Sequence, residues 1–179
     1  MNRLWWIGRW VCILSITAGA ALADEVPPED SKPLSEIVRS LEEADLGVIT
    51  EVEFDNGVWE VDTIKDGHWM ELHVDPQTGQ VLRRESKDGD DDIPPGEGMR
   101  LSSIIRSVED QNLGRIVEVE FDDGYWEVEI RDGSRRIKLD IDPQTGREVD
   151  GHGNPERDTG AVDRRIEQRR KTAAAIERD

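Results

Sequence analysis

Apolar and polar positions alternate along this chain with two different periods. Leu34, Ile37, Val38 and Leu41 recur at i, i+3, i+4 and i+7, which places one apolar stripe along a helix. Beyond Gly47 the period drops to two, in EVEFDNGVWEV from Glu51 to Val61. Asn56-Gly57 suits a two-residue type I′ hairpin, which sets Phe54 opposite Trp59 and Glu53 opposite Glu60. Val52, Phe54, Trp59 and Val61 then share a core face, while Glu51, Glu53, Glu60 and Asp62 share the other. Asp66-Gly67 turns the chain into a third strand, and Asp75-Pro-Gln-Thr-Gly79 reads as a further turn. Ser31 is the expected helix N-cap, and Gly47 the expected C-terminal stop.

A shift of 67 residues lays the chain over itself without a gap, with about half of the aligned positions identical. LSEIVRSLEEADLG from Leu34 matches LSSIIRSVEDQNLG from Leu101, where Gly114 repeats the stop. EVEFDNGVWEV matches EVEFDDGYWEV from Glu118, and DPQTG returns at Asp142. The pattern predicts an α+β fold of two tandem αβββ units, each a helix packed on a three-stranded antiparallel sheet. The expected boundaries are residues 31–82 and 99–149, packed as a pseudo-symmetric pair. Residues 24–30 form a short spacer, the Pro/Gly-rich acidic segment 83–98 a linker, and residues 150–179 a charged tail, disordered or helical.

The third strands separate the two copies. With Asp66-Gly67 as the turn, Asp62 meets Glu71, Glu60 meets His73 and Ile64 meets Trp69, all facing outward. Met70, Leu72 and Val74 face inward. With Asp132-Gly133 as the turn, Glu129 meets Arg136, Glu127 meets Lys138, Val128 meets Ile137 and Trp126 meets Leu139. The second sheet therefore balances its acids with cross-strand cations. The first is expected to show uncompensated carboxylates beside an exposed Ile64/Trp69 pair. Exposed aromatics rimmed by charge mark protein contact sites, so Glu53, Glu60, Ile64, Trp69 and His73 are the protein-binding candidates. Cover by the second copy or the arginine-rich tail, and a plainly solvated surface, stay open as alternatives.

Charge sharpens this picture. The 179 residues carry 41 acids and 23 bases, a formal net charge of −18. Between Asp24 and Val149 there are 34 acids against 14 bases, so the repeats hold the whole imbalance. Such a field disfavours nucleic acid and favours a basic protein partner or cations. Glu51, Asp62 and Glu71 are the candidate metal ligands, for calcium at low affinity; no other cofactor is expected. Asp88, Asp90 and Asp92 imitate the start of a calcium loop, but Ile93 and Met99 stand where its glycine and glutamate belong.

The N-terminus has Arg3 and Arg9, an apolar stretch and Ala21-Leu22-Ala23. That is the layout of a secretory signal peptide over residues 1–23, cut after Ala23. A retained membrane anchor is the alternative. The expected location is periplasmic or secreted, with no integral membrane span after cleavage. Cys12, the single cysteine, lies inside the signal, so the mature chain has no thiol chemistry.

The two acidic hairpins, each followed by a D-G turn and DPQTG, make residues 31–82 and 99–149 resemble the PepSY domain family. The resemblance implies a secreted or membrane-tethered, non-catalytic module, with regulation or inhibition of a peptidase as one role. An enzyme is not expected on the residues either. His68, His73 and His152 have no metal-ligand spacing, and no serine sits in a nucleophile elbow. A binding module, a low-affinity divalent-cation binder and a self-associating envelope protein (a homo-oligomer) are the three function classes that remain.

Overall fold

The computed structural model describes residues 26–89 and 92–149. The expected signal peptide, residues 1–23, and the charged tail, residues 150–179, lie outside the described residues. Each half opens with a short amphipathic helix, α1 (Leu34–Glu43) and α2 (Leu101–Glu109). Leu34, Ile37, Val38 and Leu41 bury the α1 stripe, and Leu101, Ile104, Ile105 and Val108 bury that of α2. Strands β1 (Val48–Asp55), β2 (Val58–Lys65) and β3 (His68–Val74) follow α1, and β5 (Arg115–Asp122), β6 (Tyr125–Asp132) and β7 (Arg135–Ile141) follow α2. The predicted α+β class and both αβββ units are present.

Between the halves runs β4 (Val81–Ser86), an antiparallel neighbour of β3. The first unit thus has four strands, and β4 crosses the boundary expected at residue 83. Its charged composition reads as linker because an edge strand keeps one side in water and uses charge to discourage foreign pairing. In the second half, residues 148–149 are the described part of the equivalent segment, and Glu148 makes a bridge to Ile141.

The two sheets join edge to edge through β1 and β5, giving one seven-stranded antiparallel sheet of order β4-β3-β2-β1-β5-β6-β7. Val52 faces Val119, its own equivalent in the repeat, so a pseudo-twofold axis passes between them. Both helices contribute to one continuous hydrophobic core on a single side of the sheet. Phe54 and Trp59 meet edge to face at 5.2 Å, as do Phe121 and Trp126.

The helices lock across the axis. Glu109 at the end of α2 accepts bonds from the Ser35 N–H at 3.3 Å and the Ser35 hydroxyl at 2.5 Å. Glu42 does the same for Ser102, at 3.2 and 2.6 Å. Each first turn is capped by the other half's carboxylate, satisfying N–H groups that have no partner within their own helix. This replaces the predicted cap: Pro33 occupies the N-cap position, and Ser31 does not cap. The predicted stops are also displaced. The helices end earlier, and Asp45 and Asn112 take the left-handed conformation. Gly47 and Gly114 instead enter β1 and β5 where the backbone of β2 and β6 lies against them.

The β6–β7 register differs from expectation by one pair. The turn is Gly133-Ser134, so Asp132 faces Arg135, Glu129 faces Lys138, Val128 faces Leu139 and Trp126 faces Ile141. The 67-residue offset places Gly133-Ser134 over Asp66-Gly67, whereas the D-G dipeptide points one residue too early. A slip of one in turn position moves partners by two residues and leaves every side chain on its predicted face.

Candidate functional site

The face away from the helices is built from the polar side chains of all seven strands. The hairpin registers align them in two rows across the sheet. One row runs Glu85, Glu71, Asp62, Glu51, Glu120, Glu127, Asp140, one acid from every strand. The next runs Arg83, His73, Glu60, Glu53, Glu118, Glu129, Lys138, basic groups at its ends and four glutamates between. With strands about 4.8 Å apart, each row spans roughly 29 Å.

Local cations restrain the flanks. Arg136 Nε lies 2.6 Å and Arg131 2.9 Å from Glu129, and Lys138 Nζ lies 3.4 Å from Glu127. The expected Glu129/Arg136 and Glu127/Lys138 contacts therefore form, but diagonally. In the first half Lys87 pairs with Asp62, Arg83 with Glu85, and His73 Nε2 lies 2.8 Å from Glu71. The expectation that nothing local answers the first sheet's charge is corrected here, because its cations come from β4 and the segment just beyond.

The centre carries the strain. Desolvation pushes Glu53 above the usual carboxylate range, and Glu118, Asp55, Glu60 and Asp62 push it further. Glu60 is raised by desolvation and then by Glu71. Glu118 is raised by desolvation and then by Glu129, with Lys138 and Arg136 opposing. These three stand side by side in one row, the middle of it crossing the seam between halves. A carboxyl that holds its proton more tightly when folded than when unfolded stabilises the fold on acidification. The protein is expected to gain resistance to urea as pH falls from 7.5 towards 5. The Glu53→Gln/Glu60→Gln/Glu118→Gln variant should lose most of that gain. Below about pH 4 the trend reverses, because Asp75 and Asp142 lie below their ordinary value of 3.8, held there by the Thr78 and Thr145 bonds of the DPQTG turns. Urea midpoints across this range check both signs.

The candidate ligands Glu51, Asp62 and Glu71 stand next to one another in the acidic row. Ligand atoms approach within 4.8 Å in two other combinations among the described residues, Glu60 with Glu71 and His73, and Glu51 with Glu118 and Glu120. Asp62 is 5% exposed and turned to Lys87. Ile64 and Trp69 face outward as expected but are half-buried rather than exposed. Trp69 is covered by the segment Lys87–Gly89, whose first N–H donates to the Trp69 carbonyl at 3.3 Å. Glu118 and Glu120, absent from the sequence candidates, join the site only because β5 lies beside β1.

A cleft of about 580 Å³ lies at one end of the seam, lined by Pro27, Pro28, Leu34, Trp59, Glu109 and Arg115 among others. A second, of about 270 Å³, is lined by the equivalents Pro94, Pro95, Leu101, Trp126 and Glu42. The Pro-Pro dipeptides preceding both helices are thus part of the repeat, and the first arm reaches across the seam, where Arg115 donates to the Pro27 carbonyl.

No curated protein matches the chain. A solved structure of a candidate lipoprotein from Clostridium difficile 630 is 14% identical, with a TM-score of 0.43 over 66% of this chain and 91% of that one. The family model described as "Peptidase propeptide and YPEB domain" matches residues 10–85, which include the whole first αβββ unit. The matched stretch contains the first acidic hairpin and the first DPQTG turn, so over residues 10–85 the chain is similar to the PepSY domain family.

Proposed function

We propose that the protein is a non-catalytic binding module of the cell envelope that docks a basic protein segment on the open face of its sheet. The observation that carries this reading is the pair of side-chain rows. Seven acids from seven strands form one line, and Glu53, Glu60 and Glu118 beside it are pushed towards protonation by burial and by neighbouring carboxylates. A cationic partner relieves that repulsion, so binding energy is available that neither solvent nor the flanking cations supply. The family description favours a peptidase as the partner class, and the signal layout favours encounter outside the cytoplasm.

The test is photocrosslinking from position 60 in the native envelope, followed by identification of the captured protein. Glu53→Lys with Glu118→Lys should abolish capture and weaken binding of the purified partner more than tenfold, while leaving the fold intact. Binding of the parent should fall steeply with salt. Equal capture by the charge-reversed protein would sink the proposal.

A further inference from the structure

The two halves hold the same buried carboxylate in different ways. Glu129 is gripped by Arg131 and Arg136, whose equivalents in the first half are Ile64 and Trp69. Asp62, the equivalent of Glu129, takes its cation from Lys87, which lies beyond β4. The segment Lys87–Gly89 then continues over Trp69. Its three contacts are distinct in chemistry. An ammonium meets Asp62, a backbone N–H extends the β3 ladder to the Trp69 carbonyl, and Gly89 lies flat on the indole. A Cβ at Gly89 would come within 2.7 Å of Trp69 Cε3, so only a residue without a side chain fits there.

We propose that Asp62 and Trp69 form a recognition subsite that the chain's own Lys87–Gly89 strap occupies. The docking partner displaces the strap with an extended segment of the same chemistry, a lysine followed two residues later by glycine. This rests on the docking reading above and names what the partner presents at one end of the face. The strap shows which chemistry the subsite accepts: a cation for a carboxylate that is 5% exposed, and a flat backbone for the indole. Release of the strap alone removes Lys87 from the buried Asp62 carboxylate, which disfavours opening unless another cation enters. The subsite is thereby selective as well as covered.

The test uses the full chain carrying Gly89→Val, which disables the strap of every copy while leaving Asp62 and Trp69 untouched. The probe is an end-blocked peptide of residues 84–89, Arg-Glu-Ser-Lys-Asp-Gly. Chemical-shift changes at the Trp69 indole N–H and at the Asp62 and Trp69 amides report binding. The peptide should bind the Gly89→Val chain about tenfold more tightly than the parent, where the strap competes. Replacing its lysine with norleucine should cost about tenfold, the loss expected for a charge-assisted bond. Unchanged β5–β7 amide signals establish that the fold survives. Lys87→Gln, which only loosens the strap, should shift affinity the same way. Equal binding to parent and variant, indifference to norleucine, or a Trp69 signal unmoved by both substitutions would each overturn the subsite. The docking reading stands or falls separately, on capture at position 60.

Discussion

Trp59→Ala is expected to destabilise the protein by about 3–5 kcal/mol, the usual range for deleting a buried tryptophan. Trp59 is 2% exposed, packs edge to face on Phe54 and lines the cleft at one end of the seam. The distribution of the loss is as informative as its size. One sheet and one core run through both halves, and each helix is capped by the other half's glutamate. Unfolding should therefore stay a single transition, shifted as a whole, and Trp126→Ala should shift the same transition. Urea unfolding followed by far-UV circular dichroism, with amide exchange read separately in each half, checks this. If the substituted half melts first and its partner retains its protection, the halves are independent domains and the seam contributes little.

Gly114→Ala should cost about 3 kcal/mol or more, a loss of the kind seen when strain and a backbone clash coincide. Gly114 has φ +153°, and a Cβ there would run into the Arg131 carbonyl, with Arg131 C at 2.8 Å. Gly47, its equivalent, has φ +129° and would meet the Ile64 carbonyl oxygen at 2.8 Å. The obstacle is backbone in both cases and cannot swing aside. Gly57 and Gly124 supply the contrast: their φ values are +83° and +86°, but nothing lies within 4 Å of the added atom. Gly57→Ala should cost only about 1–2 kcal/mol, the price of a left-handed residue with a side chain. Equal losses at Gly57 and Gly114 would show that conformational strain alone matters there and that the close approach of β5 to β6 does not.

The same pair of glycines shows where local reading loses force. Gly114 was expected to stop α2, because glycine after an apolar helical stripe is a common terminator. Asn112 carries out that task, and Gly114 answers a neighbouring strand that no local pattern announces. The register of β7 failed for a similar reason. The D-G dipeptide is a strong turn signal, but the repeat's offset was the better guide, since the ladder must satisfy every pair along the strand at once. Arg136 and Lys138 still reached Glu129 and Glu127, because long side chains tolerate a diagonal partner.

The sequence by itself determined the two helices, the six repeated strands, the division of each strand into an apolar and an acidic face, and the hairpins at Asn56-Gly57 and Asp123-Gly124. These follow from spacing within a few residues, where side-chain periodicity and turn chemistry leave few choices. Tertiary structure decided the rest. The meeting of β1 with β5 turned two acidic hairpin faces into continuous rows, and placed Glu53 opposite Glu118 across an interval of sixty-five residues. The path beyond β4 brought Lys87 to Asp62 and laid Gly89 on Trp69. Edge pairing depends on which backbone groups remain unsatisfied once each unit has folded, and the return path of a polar segment depends on where the next helix must start. Neither quantity is written in local periodicity, and both are fixed when the two cores close into one.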